Sequence, residues 1–375
     1  MKITSLQENF KSGILIASHI AGKNVNLPIL NNVMIEAKDG NIRLITTDLE
    51  VGITATVRGK IEKEGVFTVD SKVVSEFIAL LPNKKVEIER KDSNLLIKSE
   101  NYKTVVRGQE ADEFPLIPKV ERKEYFKAEA NEFRKALSQV IFAVSNSETR
   151  IELTGVQFYF SGDKLIMAAT DSYRLAEKEI KIKTNSKTDK KIIIPAKTLQ
   201  ELIRIMSAVK NENLSEESED IEFYVNDNQI LFIIGNTELV SRLIEGQYPD
   251  YKQIIPSKSE TSVSVNRDEL VRAVKAASIF SKSGVNDVNL DFPLGKNKII
   301  ISSSSSQTGE NITELEAAVN GKDNGIVVNF RYLLDGVNNI EGDTIKLGII
   351  DGNTPCVLKS EKDLGYIYII MPIKQ

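Results

Sequence analysis

A chain of 375 residues and 41.8 kDa exceeds one ordinary core, so length alone calls for two or three domains. One cysteine (Cys356), one histidine (His19) and no tryptophan exclude a disulfide framework and a His-rich or four-cysteine zinc site, and they confine any Ser-His-Asp or Cys-His mechanism to His19. The formal net charge is −4, so a nucleic-acid-binding role would need its positive charge gathered on one face.

No apolar run approaches the ~18 residues needed to span a bilayer. The start, MKITSLQENF, lacks the apolar stretch of a secretory signal, which together with the lone cysteine leads us to expect a cytoplasmic protein. Walker A, GxGxxG and HExxH sequences are absent, and with them most familiar enzyme classes.

In chain order, the sequence predicts one unit three times over. The copies begin near Met1, Phe126 and Ser262, each with an alternating strand and then an amphipathic helix: QENFKSGILIA, ANEFRKALSQV and RDELVRAVKAA. Phe10, Phe133 and Leu270 occupy one position, and Ile14, Leu137 and Val274 follow four residues on, on the same helix face. A second helix begins at VDSKVVSEFI, IPAKTLQELI and VNFRYLLDGV, with a cation at the matching place: Lys72, Lys197 and Arg331. These lie 62, 64 and 61 residues after Phe10, Phe133 and Leu270. Between the helices, Thr47-Asp48 and Thr170-Asp171 also match, whereas the third copy has the serine run 302–306 there. Strand-like alternations complete each copy. The first two close on the proline-bearing EFPLIP (113–118) and QYPDYKQIIP (247–256), and the third on YIYIIMPIKQ. The spans 1–120, 125–253 and 257–375 are therefore the expected domains. An acidic insertion, Asn211 to Asp220, reads as a solvated loop.

Units of this size bury their own cores, and three in a row suit an arc that closes by symmetry. A cation in the first turn of a helix opposes the helix macrodipole, so Lys72, Lys197 and Arg331 call for an anionic partner. Lys11, Arg134, Lys135, Arg272 and Lys275 lie outside the apolar stripes of the first helices and add to this charge. A positive inner face on an acidic protein would make weak, salt-sensitive phosphate contacts.

The sequence resembles the bacterial sliding clamp family, the beta subunits of DNA polymerase III. The resemblance rests on LPILNNVMIEA (27–37), TDLEVGI (47–53), AATDSYRLA (168–176), LIEGQYPDY (243–251) and YIIMPIKQ (368–375), in that order within a threefold repeat. It implies an α+β DNA clamp fold of three similar domains. Two chains would join head to tail in a ring, with helices lining a central hole and sheets outside. The ring would be placed on double-stranded DNA by a clamp loader and would tether DNA polymerase III alpha subunit and other polymerases and repair proteins. It would need no cofactor or metal and would catalyse no reaction. Lys23 is then a further DNA-facing residue. A partner-peptide groove is implied at Arg150, Leu153, Thr170, Ser172, Tyr173, Arg174, Leu175, Pro249, Ile254, Asn353, Pro355, Ile369, Ile370, Met371, Pro372 and Ile373, with Leu153, Leu175, Ile254, Ile369 and Met371 as apolar walls. The dimer interface is implied to pair the edge strand Tyr102–Arg107, including Thr104 and Val106, with the third domain, where Ile279 and Phe280 supply apolar contact.

Two other classes compete with this one. A nuclease would need clustered carboxylates for metals, and the sequence offers only Asp48 and Asp171, which read as turn residues. An adaptor oligomer without nucleic acid would leave the repeated cations unexplained. His19 reads as a helix-end residue and Cys356 as a buried filler.

Overall fold

The computed structural model describes residues 1–22, 26–212 and 220–374, with the backbone alone for 209–212. Lys23, most of the acidic insertion and Gln375 lie outside the described residues. The described chain has six α-helices: α1 (Gln7–Ala17), α2 (Ser71–Leu80), α3 (Ala130–Ile141), α4 (Ala196–Glu212), α5 (Arg267–Ser278) and α6 (Phe330–Asn339). These are the two helices per copy that the periodicity predicts. Phe10, Ile14, Phe133, Leu137, Leu270 and Val274 are fully buried, so the shared stripe is the core-facing side of α1, α3 and α5. Burying each such side chain contributes about 1.5–3 kcal/mol.

Local chemistry sets the helix starts. The Asp70 carboxylate accepts from Val73 N–H at 2.8 Å, Asn266 from Glu269 N–H at 3.0 Å, and Asn329 from Arg331 N–H at 2.9 Å. Each satisfies a backbone donor that the first helical turn leaves open.

The chain forms two compact units, and neither matches a sequence copy. The first comprises 1–131, 182–187 and 200–243; the second comprises 132–181, 188–199 and 244–375. The division cuts the middle copy because the sheets run across the copy boundaries. In the first unit a fourteen-stranded sheet joins copy one to copy two through Thr237–Arg242, which runs antiparallel to Val51–Val57 with Leu239 opposite Ile53. In the second unit a twelve-stranded sheet joins copy two to copy three through Tyr366–Ile370, antiparallel to Arg174–Lys181 with Leu175 opposite Ile369.

The two junctions repeat each other bond for bond. Thr56 N–H donates to Asn236 O at 2.9 Å in the first, and Glu179 N–H donates to Gly365 O at 2.8 Å in the second. At the other end, Arg242 N–H donates to Glu50 O at 3.0 Å, and Met371 N–H donates to Tyr173 O at 2.8 Å. In each case the last strand of one copy adds to the fourth strand of the copy before it.

Two strand edges stand where a further junction of this kind would form. Tyr102–Gln109, the last strand of copy one, pairs with Asn94–Ser99 and, through Gly108 and Gln109, with Val69 and Thr68. Gly309–Glu316, in copy three, pairs with Lys298–Ser305 on one side only. Among the described residues, the outer edges of 102–107 and 309–316 have no neighbour.

Packing of α6 depends on a glycine. A Cβ on Gly336 would stand 2.1 Å from the ring of Tyr368, which is fully buried and donates its hydroxyl to Tyr332 O at 2.8 Å. Gly336→Ala should therefore cost about 1–3 kcal/mol by overpacking, read as a lower denaturation midpoint. An unchanged midpoint would show that α6 can shift away from the strand at no cost.

Candidate functional site

The turn Thr47–Val51 recurs as Thr170–Arg174. Leu49 and Ser172 have φ of 79° and 78°. Asp48 accepts from the N–H groups of Glu50 and Val51 at 3.1 and 2.8 Å, and Asp171 from those of Tyr173 and Arg174 at 2.9 and 3.0 Å. The threonine hydroxyls donate to Val51 O and Arg174 O at 2.8 and 2.6 Å. Both Thr-Asp pairs are thus turn residues. Among the described residues, no group of three His, Cys, Asp or Glu could hold a metal.

In copy two this turn presents the groove residues. Ser172 and Tyr173 are exposed, Tyr173 by 63%. Arg150 donates to Ser172 Oγ at 3.1 Å and to Glu152 at 3.0 Å. Thr170 N–H donates to the hydroxyl of Tyr248 at 3.1 Å. Ile254 ends the short helical turn Tyr251–Ile254 and is 39% exposed, and Pro249 just before that turn is half-buried. The C-terminal segment closes the set: Ile370 is buried, while Met371, Pro372 and Ile373 are half-buried. Met371 is tied to Tyr173, and Ile373 N–H donates to Val327 O at 2.8 Å. Asn353 is exposed and Pro355 half-buried, just before Cys356, which pairs with Ile370.

One expectation needs correction. Leu153, Leu175 and Ile369 are not exposed walls: each is 1% accessible or less, in a cluster with Ala168, Ile193, Tyr248 and Tyr251. Tyr248 and Tyr251 meet edge to face at 6.4 Å in that cluster. Burial, with the Glu177 carboxylate beside it, pushes the Tyr251 phenol well above its usual range. The hydroxyl therefore stays protonated and donates to Glu177 at 2.5 Å. The apolar surface on offer is Tyr173, Ile254 and Met371, above a floor of leucine and isoleucine.

Sequence reasoning missed the support of this rim. The Arg174 guanidinium donates to Asp171 at 2.9 Å, Asp335 at 2.5 Å and Phe142 O at 2.9 Å. It lies over the rings of Tyr332 at 4.6 Å and Phe142 at 5.5 Å, and Tyr332 in turn stacks on Tyr173 at 6.5 Å. Tyr332 and Asp335 lie three residues apart on α6, a spacing that puts them on one face; nothing in the sequence says that this face meets residue 174.

The counterpart region in the first unit is closed. Gly52 stands where copy two has Leu175, and the Ile117 side chain fills the space a Cβ would take, within 2.6 Å. Arg242 stands where the tail has Met371 and pairs with Glu50 at 3.6 Å. An apolar anchor is thus replaced by an ion pair.

The expected DNA-facing cations lie on all six helices. Lys72, Lys135, Lys197, Arg272, Lys275 and Arg331 are exposed, and Lys11 and Arg134 are half-buried. Lys72 is 3.8 Å from Glu76, and Lys135 is ion-paired with Glu341. The Arg134 Nε–H is enclosed without a hydrogen-bond partner. Arg272 also lines a cleft of about 500 Å³ between α5 and Gly309–Gly321, with Glu269, Ala273, Ala276 and Thr313–Glu316.

The residues expected at the dimer interface differ in exposure. Val106 is 7% exposed and points into its own core, because strand neighbours alternate faces; Val105 is 58% exposed and Tyr102 50%. Thr104 and Phe280 are half-buried, while Ile279 is 68%, Ile312 65% and Leu80 78% exposed.

His19 lies just past α1, with Nδ1 2.6 Å from the buried Glu201 carboxylate. Arg204 holds the same carboxylate and donates to Ile16 O at 2.7 Å, capping α1. Cys356 is buried, and burial pushes its thiol up to about 12. The native protein should therefore resist alkylation near neutral pH until it is unfolded; modification at the rate of free cysteine would contradict this burial.

Sequence models of the DNA polymerase III beta subunit match all three parts of the chain: the N-terminal domain over residues 1–118, the central domain over 127–250 and the C-terminal domain over 252–374. The chain is 31% identical to a beta sliding clamp of Staphylococcus epidermidis, over 93% of this chain and 92% of that one. It is 29% identical to the beta sliding clamp of Synechocystis, over 100% and 99%. Among solved structures, the DNA polymerase sliding clamp of Bacillus subtilis covers 100% of this chain and 99% of its own, at 27% identity and a TM-score of 0.93.

Proposed function

The chain belongs to the family of the DNA polymerase III beta subunit, and on that premise we propose how its own residues perform the work of a sliding clamp. It encircles duplex DNA, tethers the polymerase and is a processivity factor, not an enzyme. The matched spans support three domains, 1–120, 125–253 and 257–375. Among the described residues no helix is long and apolar enough to cross a membrane, which suits a protein acting on DNA in the cytoplasm.

The observation that carries the ring is the pair of strand edges at which the series of junctions stops. Both junctions inside the chain join the last strand of one copy to the fourth strand of the previous copy, in one register. The last strand of copy one and the fourth strand of copy three are the two ends of that series. A second chain, head to tail, satisfies both ends twice and closes the assembly. The hairpins ending at Tyr102 and Thr237 are equivalent, as are the pairs Met167–Lys178 and Ile301–Thr313. The same register then sets Tyr102 opposite Thr313, Thr104 opposite Asn311 and Val106 opposite Gly309 of the partner chain. Lys103 and Arg107 fall diagonally beside Glu310 and Glu314, a complementary arrangement. The turn Glu100–Asn101 enters the cleft lined by Glu269 and Arg272. In the second unit the equivalent cleft is filled by the turn 360–365, whose buried Asp363 meets Lys178 and Gln139.

The six cationic helices face the duplex, and partner peptides dock on Tyr173, Ile254 and Met371. Two or three small apolar anchors give roughly micromolar binding, near −8 kcal/mol, weak enough for partners to exchange. Retention after loading, compared on circular and linearised DNA, tests the whole reading. Rings should persist on the circle and run off free ends; equal loss from both would mean that contact, not topology, holds the protein.

A further inference from the structure

Beside the groove, on the solvent face of the second unit, two ammonium groups converge on one aromatic ring. Lys191 Nζ lies 4.9 Å and Lys252 Nζ 6.0 Å from the centre of the Tyr159 ring. Lys191 is the cross-strand partner of Tyr159 in the pairing of Lys190–Pro195 with Gly155–Ser161. Lys252 belongs to the turn Tyr251–Ile254, so it sits between the buried Tyr251 and the exposed groove residue Ile254. We propose that Tyr159, Lys191 and Lys252 form a basic extension of the peptide groove, selecting partner peptides that carry carboxylates on the flank leaving the apolar anchor past Ile254. The proposal rests on the groove reading and names the class of peptide that groove prefers.

The charge balance supports an anionic occupant. Among the described residues, neither lysine meets a carboxylate within salt-bridge distance. The carboxylates at 189 and 250 accept from neutral donors and not from the lysines: Asp189 from the hydroxyls of Tyr159 at 2.8 Å and Ser161 at 3.1 Å, and Asp250 from Gln253 at 2.8 Å. Two like charges gathered at one ring repel each other, and the ring face offsets this only in part. A peptide carboxylate between them removes the repulsion without displacing any existing pair. The site is also fixed in register with the groove, because Tyr251 of the same turn is locked in the cluster of Leu153, Leu175 and Ile369.

The test uses the full-length chain and two synthetic peptides sharing the same two or three apolar anchors, flanked by Asp-Asp or by Asn-Asn, with the flank placed at either end. Anisotropy at low salt should show the aspartate peptide binding about three- to tenfold more tightly, from one end only, as two exposed charge contacts allow. The advantage should vanish near 1 M salt, where the Debye length is ~3 Å. Lys191→Gln with Lys252→Gln should abolish it and leave the asparagine peptide unaffected; both lysines are exposed, so the fold is preserved. Equal affinities in the unaltered protein, or an advantage surviving the double substitution, would overturn the extension while leaving the groove intact. Failure of the asparagine peptide to bind at all would instead overturn the groove, and the extension with it.

Discussion

Ile279→Asp should convert the ring to monomers at concentrations where the unaltered protein is dimeric. Ile279 follows α5 and is 68% exposed in a single chain, with Phe280 beside it and Ile312 on the neighbouring strand edge. In the proposed head-to-tail arrangement this surface would meet α2 of the partner chain; Leu80, which ends α2, is 78% exposed. Losing one buried isoleucine costs about 1.5–3 kcal/mol, and a two-chain ring has two such seams. The dissociation constant should therefore rise by roughly two to four orders of magnitude, before counting desolvation of the new carboxylate. Sedimentation equilibrium reads this directly, and dimers persisting at nanomolar protein would reject the seam. Register has its own test. Thr104 and Asn311 fall at a non-hydrogen-bonded pair, where Cα atoms approach about 4.5 Å and a disulfide fits. Cysteines at these two positions should cross-link copies covalently, whereas Thr104→Cys with Ile312→Cys should not. The buried thiol of Cys356 does not compete.

The repeat was legible because its parts are local. Helix stripes such as Phe133, Leu137 and Val140 follow from spacing alone, and the turns at Asp48 and Asp171 follow from what an aspartate does for the next two backbone donors. The groove was legible only as a region. Whether Leu175 is a wall or a floor depends on Tyr248 and Tyr251, which arrive from more than seventy residues away. Val105 and Val106 are neighbours of one type in a strand, and which of them faces the core is set by register with Asn94–Ser99. The Arg174 cage could not be read at all, since Phe142, Tyr332 and Asp335 gain their meaning only when α3 and α6 meet the turn. The two open edges were half legible: the family resemblance implies that Tyr102–Arg107 is an edge strand, but its complement in copy three lies in a region without the Thr-Asp marker.

Reversing Lys72, Lys197 and Arg331 together to glutamate should separate DNA retention from folding. Each residue stands in the first turn of α2, α4 or α6 and is exposed. A cation there is unfavourable to its own helix, and a glutamate is favourable by about 0.3–1 kcal/mol. The triple variant should thus melt no lower than the unaltered protein, and it should still dimerise. Three reversals of two charges each take the chain from −4 to −10, with the change gathered on the helices proposed to face the duplex. If each cation meets one phosphate, the slope of log affinity against log salt loses about 0.9 per contact, or ~2.7 per chain. Direct binding to duplex DNA and loading onto primed circles should both fall steeply at low salt. Rings that do load should still run off linear ends, because topology is untouched. An unchanged salt slope, with folding and dimerisation intact, would mean that these helices turn their cations elsewhere and that other residues line the passage.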